Sequence, residues 1–161
     1  MSEEAVVANL KEKFAASVLE VVEFRDETTV IVKKEEIVAI CNYLKVTEGF
    51  NFLSDLCGVD YLGKKDDRFM VVYNLYNIKT HGRLRLKVAV AESDATVDSV
   101  ASVWGTANWH ERECWDLMGI SFNNHPDLRR ILMPADWAGH PLRKDYPVQG
   151  PDRAPYQGRL S

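Results

Sequence analysis

Residues 110–118 carry the densest group of reactive side chains in the sequence, in the order His-Glu-Arg-Glu-Cys-Trp-Asp-Leu-Met. On a helix, Arg112 and Asp116 are four residues apart and can form an ion pair, while Glu113 and Asp116 share a face. Two carboxylates on one face can act as general acid and base if their surroundings separate the two pKa values. A charged helix face that binds an arginine from elsewhere has the same pattern, and we favour that structural interpretation.

A metal site is the second chemical possibility for this segment. His110 and Cys114 are spaced i, i+4, so both side chains can face one ion, with His125 as a third ligand. The favoured alternative is a buried, apolar Cys114 and a capping or packing His110, because no further Cys or His pair has metal-site spacing. With Cys41 and Cys57, the cysteines are odd in number and form no C-x-x-C pair. This pattern indicates a reducing, cytosolic compartment and predicts that the chain alone binds no iron–sulfur cluster.

Composition limits the remaining function classes. The chain has 161 residues, 46% of them hydrophobic and 27% charged, which suits one domain with its own core. Its net charge of −4 argues against nucleic-acid binding. The sequence contains no glycine-rich nucleotide loop, no nucleophile elbow, no signal peptide and no run of 18 apolar residues. We therefore expect any membrane contact to be made through a partner.

Hydrophobic periodicity predicts the elements that position these residues. Apolar residues at helical spacing from Ala5 to Val18, behind a possible Ser2 cap, predict a first helix. Further helices are predicted at residues 35–45, 96–103 and 108–118, the last ending at Gly119. Strands are predicted at residues 19–24, 28–33, 69–78 and 83–91. Residues 25–27 and 79–82 suit hairpin turns, the second with Gly82 at positive φ.

The prolines divide the chain into two regions. None occurs in residues 1–125, and all six lie between Pro126 and Pro155, which predicts an extended, irregular tail. Residues 125–161 carry six Lys/Arg against four Asp/Glu, whereas residues 1–36 carry five against nine. Arginine and aromatic residues on an extended backbone are typical of protein-binding segments; the alternative is a coil that wraps its own domain. The predicted class is α+β: a two-layer mixed sheet packed with helices in residues 1–122, then a proline-rich partner-binding tail in residues 123–161.

The region around these residues resembles a known family. The residues that carry the resemblance are Glu111, Arg112, Glu113, Asp116, Leu117, Met118, His125, Arg129, Ile131 and Leu132. They are similar to the signature of the thirty-kilodalton subunit of respiratory complex I, the family that includes the C subunit of bacterial NADH-quinone oxidoreductase. The similarity continues through residues 132–134 and 139–147, and it is weaker before Trp104.

The resemblance implies a subunit of the peripheral arm of a proton-pumping NADH:quinone oxidoreductase, on the cytoplasmic side of the bacterial membrane. It implies no cofactor in this chain; NADH, FMN, iron–sulfur clusters and quinone belong to other subunits. The tail would extend over the forty-nine-kilodalton-type subunit, also called the D subunit, near the site of quinone reduction. The charged residues of 111–116 would be structural and would hold tail arginines such as Arg129 or Arg143, or the partner. Expected partner contacts are Arg130, Pro134, Trp137, His140, Arg143, Lys144, Asp145 and Tyr146.

Two alternatives remain open from the sequence. The nearer one is the equivalent subunit of an energy-converting hydrogenase or of a quinone oxidoreductase with another electron donor, because the shared signature does not separate these assemblies. The farther one is a stand-alone metal-dependent enzyme that uses His110, Cys114 and His125.

Overall fold

The computed structural model describes residues 3–150, and this part of the chain contains three α-helices and seven β-strands. The helices are α1 (Glu3–Lys13), α2 (Ile37–Val46) and α3 (Ala107–Met118). The strands are β1 (Val18–Phe24), β2 (Glu27–Val32), β3 (Phe52–Asp60), β4 (Phe69–Tyr76), β5 (Arg83–Val90), β6 (Thr96–Asp98) and β7 (Ser121–Asn123). The predicted Ser2 cap and residues 151–161 of the predicted tail lie outside the described residues.

Five strands form a mixed sheet in the order β1-β2-β5-β4-β3. Three of its pairings are antiparallel, and β2 and β5 pair in parallel. A parallel pair needs a long crossover connection, which here contains α2 and the β3–β4 hairpin. The short strands β6 and β7 form a second, parallel sheet. The fold is therefore α+β with a mixed sheet, as predicted.

One face of the large sheet forms the core with the helices. Along β5, buried residues alternate with half-buried or exposed ones, as the period of a strand requires, and the basic residues are on the second face. The buried positions are Leu84, Leu86, Val88 and Val90. Side chains of α1, α2 and α3 belong to the same hydrophobic cluster as these four residues. On the second face Arg83 is exposed, and Arg85 and Lys87 are half-buried.

Three local predictions were wrong. Residues 96–103 contain strand β6 followed by a turn, not a helix, because Thr96–Asp98 pairs with a strand that lies far ahead in the sequence. The first helix ends at Lys13, and Val18 begins β1 instead of continuing the helical stripe. In the β4–β5 turn the positive φ belongs to His81, at 61°, and not to Gly82. The nine-residue strand β3 was not predicted.

Helix α3 ends as the sequence predicted. Gly119 is left-handed with φ of 73°, and its N–H donates to the carbonyl of Trp115. The chain then forms β7, so the predicted boundary at residue 122 falls inside that strand. Residues 124–150 contain turns and bends but no helix or strand, and they fold back across α3. Within residues 3–150, no helix is long and apolar enough to cross a membrane.

Candidate functional site

Helix α3 packs closely on strand β3, and this contact places the signature residues. Gly58 of β3 faces the helix, where an added Cβ would come within 2.9 Å of Cys114 Sγ and 3.1 Å of Met118 Cγ. A glycine is required there because a larger residue would push the helix away from the strand. Three residues before the helix begins, Trp104 Nε1 donates to the carbonyl of Phe50, 3.2 Å away. The outer face of α3 is left for the tail.

Asp116 is the main attachment point of the tail. Its carboxylate is fully buried, and Oδ1 accepts a hydrogen bond from Arg130 at 2.5 Å. Oδ2 accepts from three successive backbone N–H groups, those of Ile131 (3.0 Å), Leu132 (2.8 Å) and Met133 (2.9 Å). Such a run of N–H groups forms an anion-binding nest. Burial alone would raise the pKa of Asp116, but these hydrogen bonds outweigh it and hold the pKa below the usual range.

Arg130 joins the helix to the second half of the tail. Besides Asp116, its guanidinium donates to the carbonyls of Trp137 at 2.9 Å and Gly139 at 3.3 Å. Helical spacing would also allow Asp116 to pair with Arg112, but the structure instead gives the arginine from outside the helix that the favoured interpretation of this charged face expected. Arg112 instead donates to the tail carbonyls of Arg129 and Arg130, at 3.1 and 3.3 Å. An arginine of the helix therefore binds the tail backbone, while an arginine of the tail binds the helix carboxylate.

The two tail arginines expected to bind the carboxylates have other roles. Arg129 is exposed and pairs with Asp127 beside it. Arg143 donates to the carbonyls of Met118 at 2.7 Å and Gly119 at 3.5 Å. These carbonyls lie at the end of α3, where the last turn lacks intrahelical donors and a positive charge is stabilising. Arg143 therefore caps the helix from the tail.

A second ion-pair cluster fixes the far end of the described tail. Arg68, immediately before β4, is buried and pairs with Asp60 at 2.9 Å, Glu92 at 2.5 Å and Asp145 of the tail at 2.6 Å. The backbone N–H of Lys144 donates to Asp60 at 2.8 Å. Hydrogen bonds from Arg68 lower the pKa of Asp60 to about 2, against the opposing effect of burial. The tail is thus held at two places, at Asp116 on α3 and at the Asp60–Arg68 pair.

Glu111 is also fully buried on α3, but it has no cationic partner of the kind that Asp116 has. Its two oxygens accept from Ser99 Oγ at 2.5 Å and from the N–H of Val100 at 2.7 Å. Burial raises its pKa to about 7, although both hydrogen bonds oppose the shift. His125 Nε2 lies 3.8 Å from Glu111. Since His125 Nδ1 accepts from the N–H of Asp127, its Nε2 carries the proton and donates to the carbonyl of Asn108.

The structure does not assemble either of the chemical sites considered from the sequence. Glu113 is exposed, whereas the lone pairs of Asp116 are occupied by the tail, so the two do not share a pocket. His110 faces Asp55 at 3.6 Å, and Cys114 packs beside Gly58. Within residues 3–150, no group of three or more His, Cys, Asp or Glu residues is placed to hold a metal ion.

Most of the residues expected to bind a partner contact this chain's own domain. Besides Arg130, Arg143 and the backbone of Lys144, these include His140, which hydrogen-bonds the carbonyl of Asp116, and Asp145. Tyr146 donates to the carbonyl of Ala138 within the tail. Their role in partner binding stays a prediction. Pro134 and Trp137 define a turn, in which the Trp137 N–H donates to the Pro134 carbonyl.

Large apolar side chains point outward from the same region. Trp109 of α3 is 62% exposed, and in the tail Leu132 is 59% and Leu142 57% exposed. Arg112 joins Trp109 to the tail, because its guanidinium lies over the Trp109 ring and donates to the backbone carbonyl of Arg129. Sequence reasoning named Leu132 only as a signature residue and missed the other two. For the two leucines, the available signal was their isolation in a segment with neither helical nor strand periodicity; Trp109 had no such signal, because it lies within the predicted helix.

Comparison with known proteins assigns this arrangement to a family. Residues 30–152 match the family described as respiratory-chain NADH dehydrogenase, 30 Kd subunit. The chain belongs to this family. The chain is 64% identical over 155 residues to the C subunit of NADH-quinone oxidoreductase from Geotalea uraniireducens, covering 96% of this chain and 94% of that protein. It is 63% identical to the protein of the same name from Geobacter sulfurreducens, covering 96% of both chains.

Solved structures show the same fold. A trypsin-resistant fragment (1–134) of Nqo5 superimposes with a TM-score of 0.70 at 34% identity, covering 80% of this chain and 100% of the fragment. A chain of the membrane-bound sulfane sulfur reductase, an archaeal respiratory membrane complex, also gives a TM-score of 0.70. That chain is 21% identical, with coverage of 90% of this chain and 85% of its own length, so it shows the fold alone.

Proposed function

We propose that this member of the thirty-kilodalton subunit family of complex I is a non-catalytic, structural subunit of a proton-pumping NADH:quinone oxidoreductase. Its role is to position the forty-nine-kilodalton-type, quinone-reducing subunit in the peripheral arm while electrons pass from NADH to quinone. The relatives named as the C subunit of NADH-quinone oxidoreductase match this chain over nearly its whole length, which supports the assignment to that assembly.

The observation that carries the proposal is the fixed tail with an apolar outer surface. We define the tail surface as Trp109, Leu132 and Leu142, which are exposed although the segment around them is bound by buried polar groups. Exposed aromatic and aliphatic side chains on a rigid backbone are typical of the anchors of protein interfaces. A backbone that is already ordered also loses little conformational entropy when the partner binds.

The proposed role in catalysis is positional. Displacement of reacting groups by about 1 Å can reduce a rate strongly, so a rigid support matters to electron transfer between subunits. The buried carboxylates of α3, Glu111 and Asp116, are engaged in internal hydrogen bonds, and we assign no catalytic residue. NADH, FMN, iron–sulfur clusters and quinone are assigned to other subunits. We place the chain on the cytoplasmic side of the cell membrane, attached through its partners.

Affinity purification of the tagged chain from gently solubilised membranes tests the proposal. We expect the quinone-reducing, forty-nine-kilodalton-type subunit and NADH-oxidising activity in the wild-type eluate. Leu132→Asp with Leu142→Asp should reduce both strongly, because each places a charge in an apolar interface. Ile78→Asp with Val46→Asp is the matched control, since Ile78 and Val46 are 55% and 74% exposed and lie outside the tail surface. Equal recovery of the partner with the tail variant and the control would contradict the proposal.

The same purification decides between assemblies. If hydrogenase subunits or a dehydrogenase with another electron donor co-purify with the chain, the proposed assembly is wrong. The chain is then the equivalent subunit of that related enzyme. A soluble monomer with stoichiometric zinc or iron would instead support the stand-alone enzyme. Mass spectrometry of the eluate and metal analysis of the purified chain give these readouts.

A further inference from the structure

Strand β1 is an unpaired edge of the main sheet. It is the outermost strand in the order β1-β2-β5-β4-β3, and no strand within residues 3–150 pairs with its outer side. An edge strand presents a row of unpaired N–H and C=O groups, which natural proteins usually protect. The opposite edge strand, β3, is in contact with α3 and with the tail backbone at Asp60. The unprotected edge is therefore at the end of the sheet away from the tail surface.

Strand β1 has exposed apolar side chains along this edge, and its one register irregularity, between Val18 and Glu20, lies at the start of the strand. Five of its seven residues are exposed, among them Phe24 at 66% and Leu19 at 57%. Val22 and Phe24 lie on one face of the strand, two residues apart, so a neighbouring strand could cover both together. The strand contains no proline that would block pairing. Its backbone and apolar side chains are both available to an added strand.

The charged residues around β1 indicate which charge an added strand should carry. Glu20 and Glu23 lie on the strand, and neither forms an ion pair within residues 3–150. The concavity at the β1–β2 turn is lined by further carboxylates: Glu3, Glu4, Asp26 and Glu27. Arg25 is the basic residue lining that concavity, and its guanidinium lies over the Phe24 ring. Lys11 lines the concavity beside Val18 to Val21, so carboxylates still outnumber basic residues around the strand, and a positively charged partner segment complements this edge.

We propose that β1 is a docking edge for an extended, basic segment of a partner protein, which adds to the sheet as a sixth strand. Main-chain hydrogen bonds supply affinity in this mode, and alternate side chains supply specificity. A second copy of this chain is disfavoured, because Glu20 and Glu23 of both copies would then lie on adjacent strands with like charges. The inference rests on the proposed function only in taking the partner to be another subunit of the same assembly.

The first test uses the isolated full chain and a synthetic peptide, Lys-Val-Lys-Val-Lys-Val-Lys, as the probe. We expect saturable binding by fluorescence anisotropy and about tenfold slower amide hydrogen exchange in residues 18–24. Glu20→Lys with Glu23→Lys should abolish both effects, whereas Glu12→Lys with Glu35→Lys, an equal charge change at two other exposed glutamates, should retain them. No binding, or equal loss in both variants, would overturn the proposal. So would a wild-type dimer with a protected β1.

The second test uses the purified assembly. Residues 18–24 should exchange about tenfold more slowly in the assembly than in the isolated chain. Rapid exchange in an assembly that still contains the quinone-reducing subunit would overturn the docking edge and leave the proposed function standing. Failure of the tail variant to affect recovery would count against the proposed function alone, because the tail surface and β1 are separate.

Discussion

Asp116 and Glu111 are two fully buried carboxylates on one helix, and their surroundings have opposite electrostatic effects. Asp116 meets an arginine and three backbone N–H groups of the tail, and its pKa is lowered. Glu111 meets a hydroxyl and one N–H of the segment before α3, and its pKa is raised to about 7. Burial by itself therefore does not decide the charge of a buried acid; the donors that reach it do.

Asp116 and Glu111 also fix different segments of the chain. Asp116 fixes a segment that follows it in sequence and returns over α3, and it needs its negative charge to do so. Glu111 fixes the short connection between β6 and α3 through neutral donors. The first site attaches the tail surface, and the second completes the core. Variants that remove one function without the other test this division.

The largest expected effect is that of Asp116→Ala. The substitution leaves Arg130 and three backbone N–H groups of the tail without their acceptor in a buried site, so we expect the free energy of unfolding to fall by about 3–5 kcal/mol. Urea denaturation measures the loss. Asp127→Ala is the control, because that ion pair with Arg129 is exposed and should contribute less than about 1 kcal/mol. Equal effects of the two substitutions would show that Asp116 does not carry the attachment.

The next effect is a pH dependence that Glu111 should impose on stability. Its folded-state pKa of about 7 lies above the ordinary value of 4.5, so below pH 4.5 it is protonated in both states. As pH rises from 4.5 to 7, the unfolded state ionises first, and the free energy of unfolding should fall by about 3 kcal/mol. Asp116 has the opposite sign: its lowered pKa contributes stability above pH 3.8, lost as pH falls further.

Glu111→Gln should remove this fall in stability between pH 5 and pH 7, while Glu113→Gln, at an exposed position of the same helix, should leave it unchanged. Urea midpoints measured across that pH range give the comparison. If the wild type and the Glu111 variant have parallel pH profiles, Glu111 is ionised in the folded protein, and the contrast with Asp116 is wrong.

A smaller effect is expected from Gly58→Ala, which disturbs the support shared by both carboxylates. The added methyl group would lie 2.9 Å from Cys114 Sγ, so the helix must shift, at a cost of about 1–3 kcal/mol. Gly105→Ala is the control, because nothing lies within 4 Å of its Cβ position. A melting temperature lowered by the first substitution alone would support the close approach of α3, and an unchanged one would contradict it.

The smallest change in stability is expected from Asp145→Asn. Asp145 is half exposed, so its ion pair with Arg68 contributes less than about 1 kcal/mol. The substitution should nevertheless speed amide exchange in residues 144–150, because it releases the end of the described tail. Glu92→Gln removes another half-exposed partner of Arg68 that does not belong to the tail, and it should leave that exchange unchanged. Similar exchange in both variants would show that Asp145 does not hold the tail.

The sequence by itself determined the parts of the molecule that depend on local pattern. Apolar spacing located α2, α3 and the β4–β5 hairpin, and Gly119 located the end of α3, because burial on one face follows the period of each element. The proline distribution located the segment without helices or strands. The residues of 111–132 pointed to the family that the comparisons then showed.

Only the tertiary structure decided which groups meet. Residues 96–98 became a strand because β7 lies beside them, although their local pattern suggested a helix. Asp116 binds Arg130 and not Arg112, although Arg112 has the correct helical spacing. The tail delivers one guanidinium and three N–H groups to a single buried carboxylate, and those backbone donors have no signature in a list of residue types. Such contacts depend on how the chain returns over α3, which local periodicity does not encode.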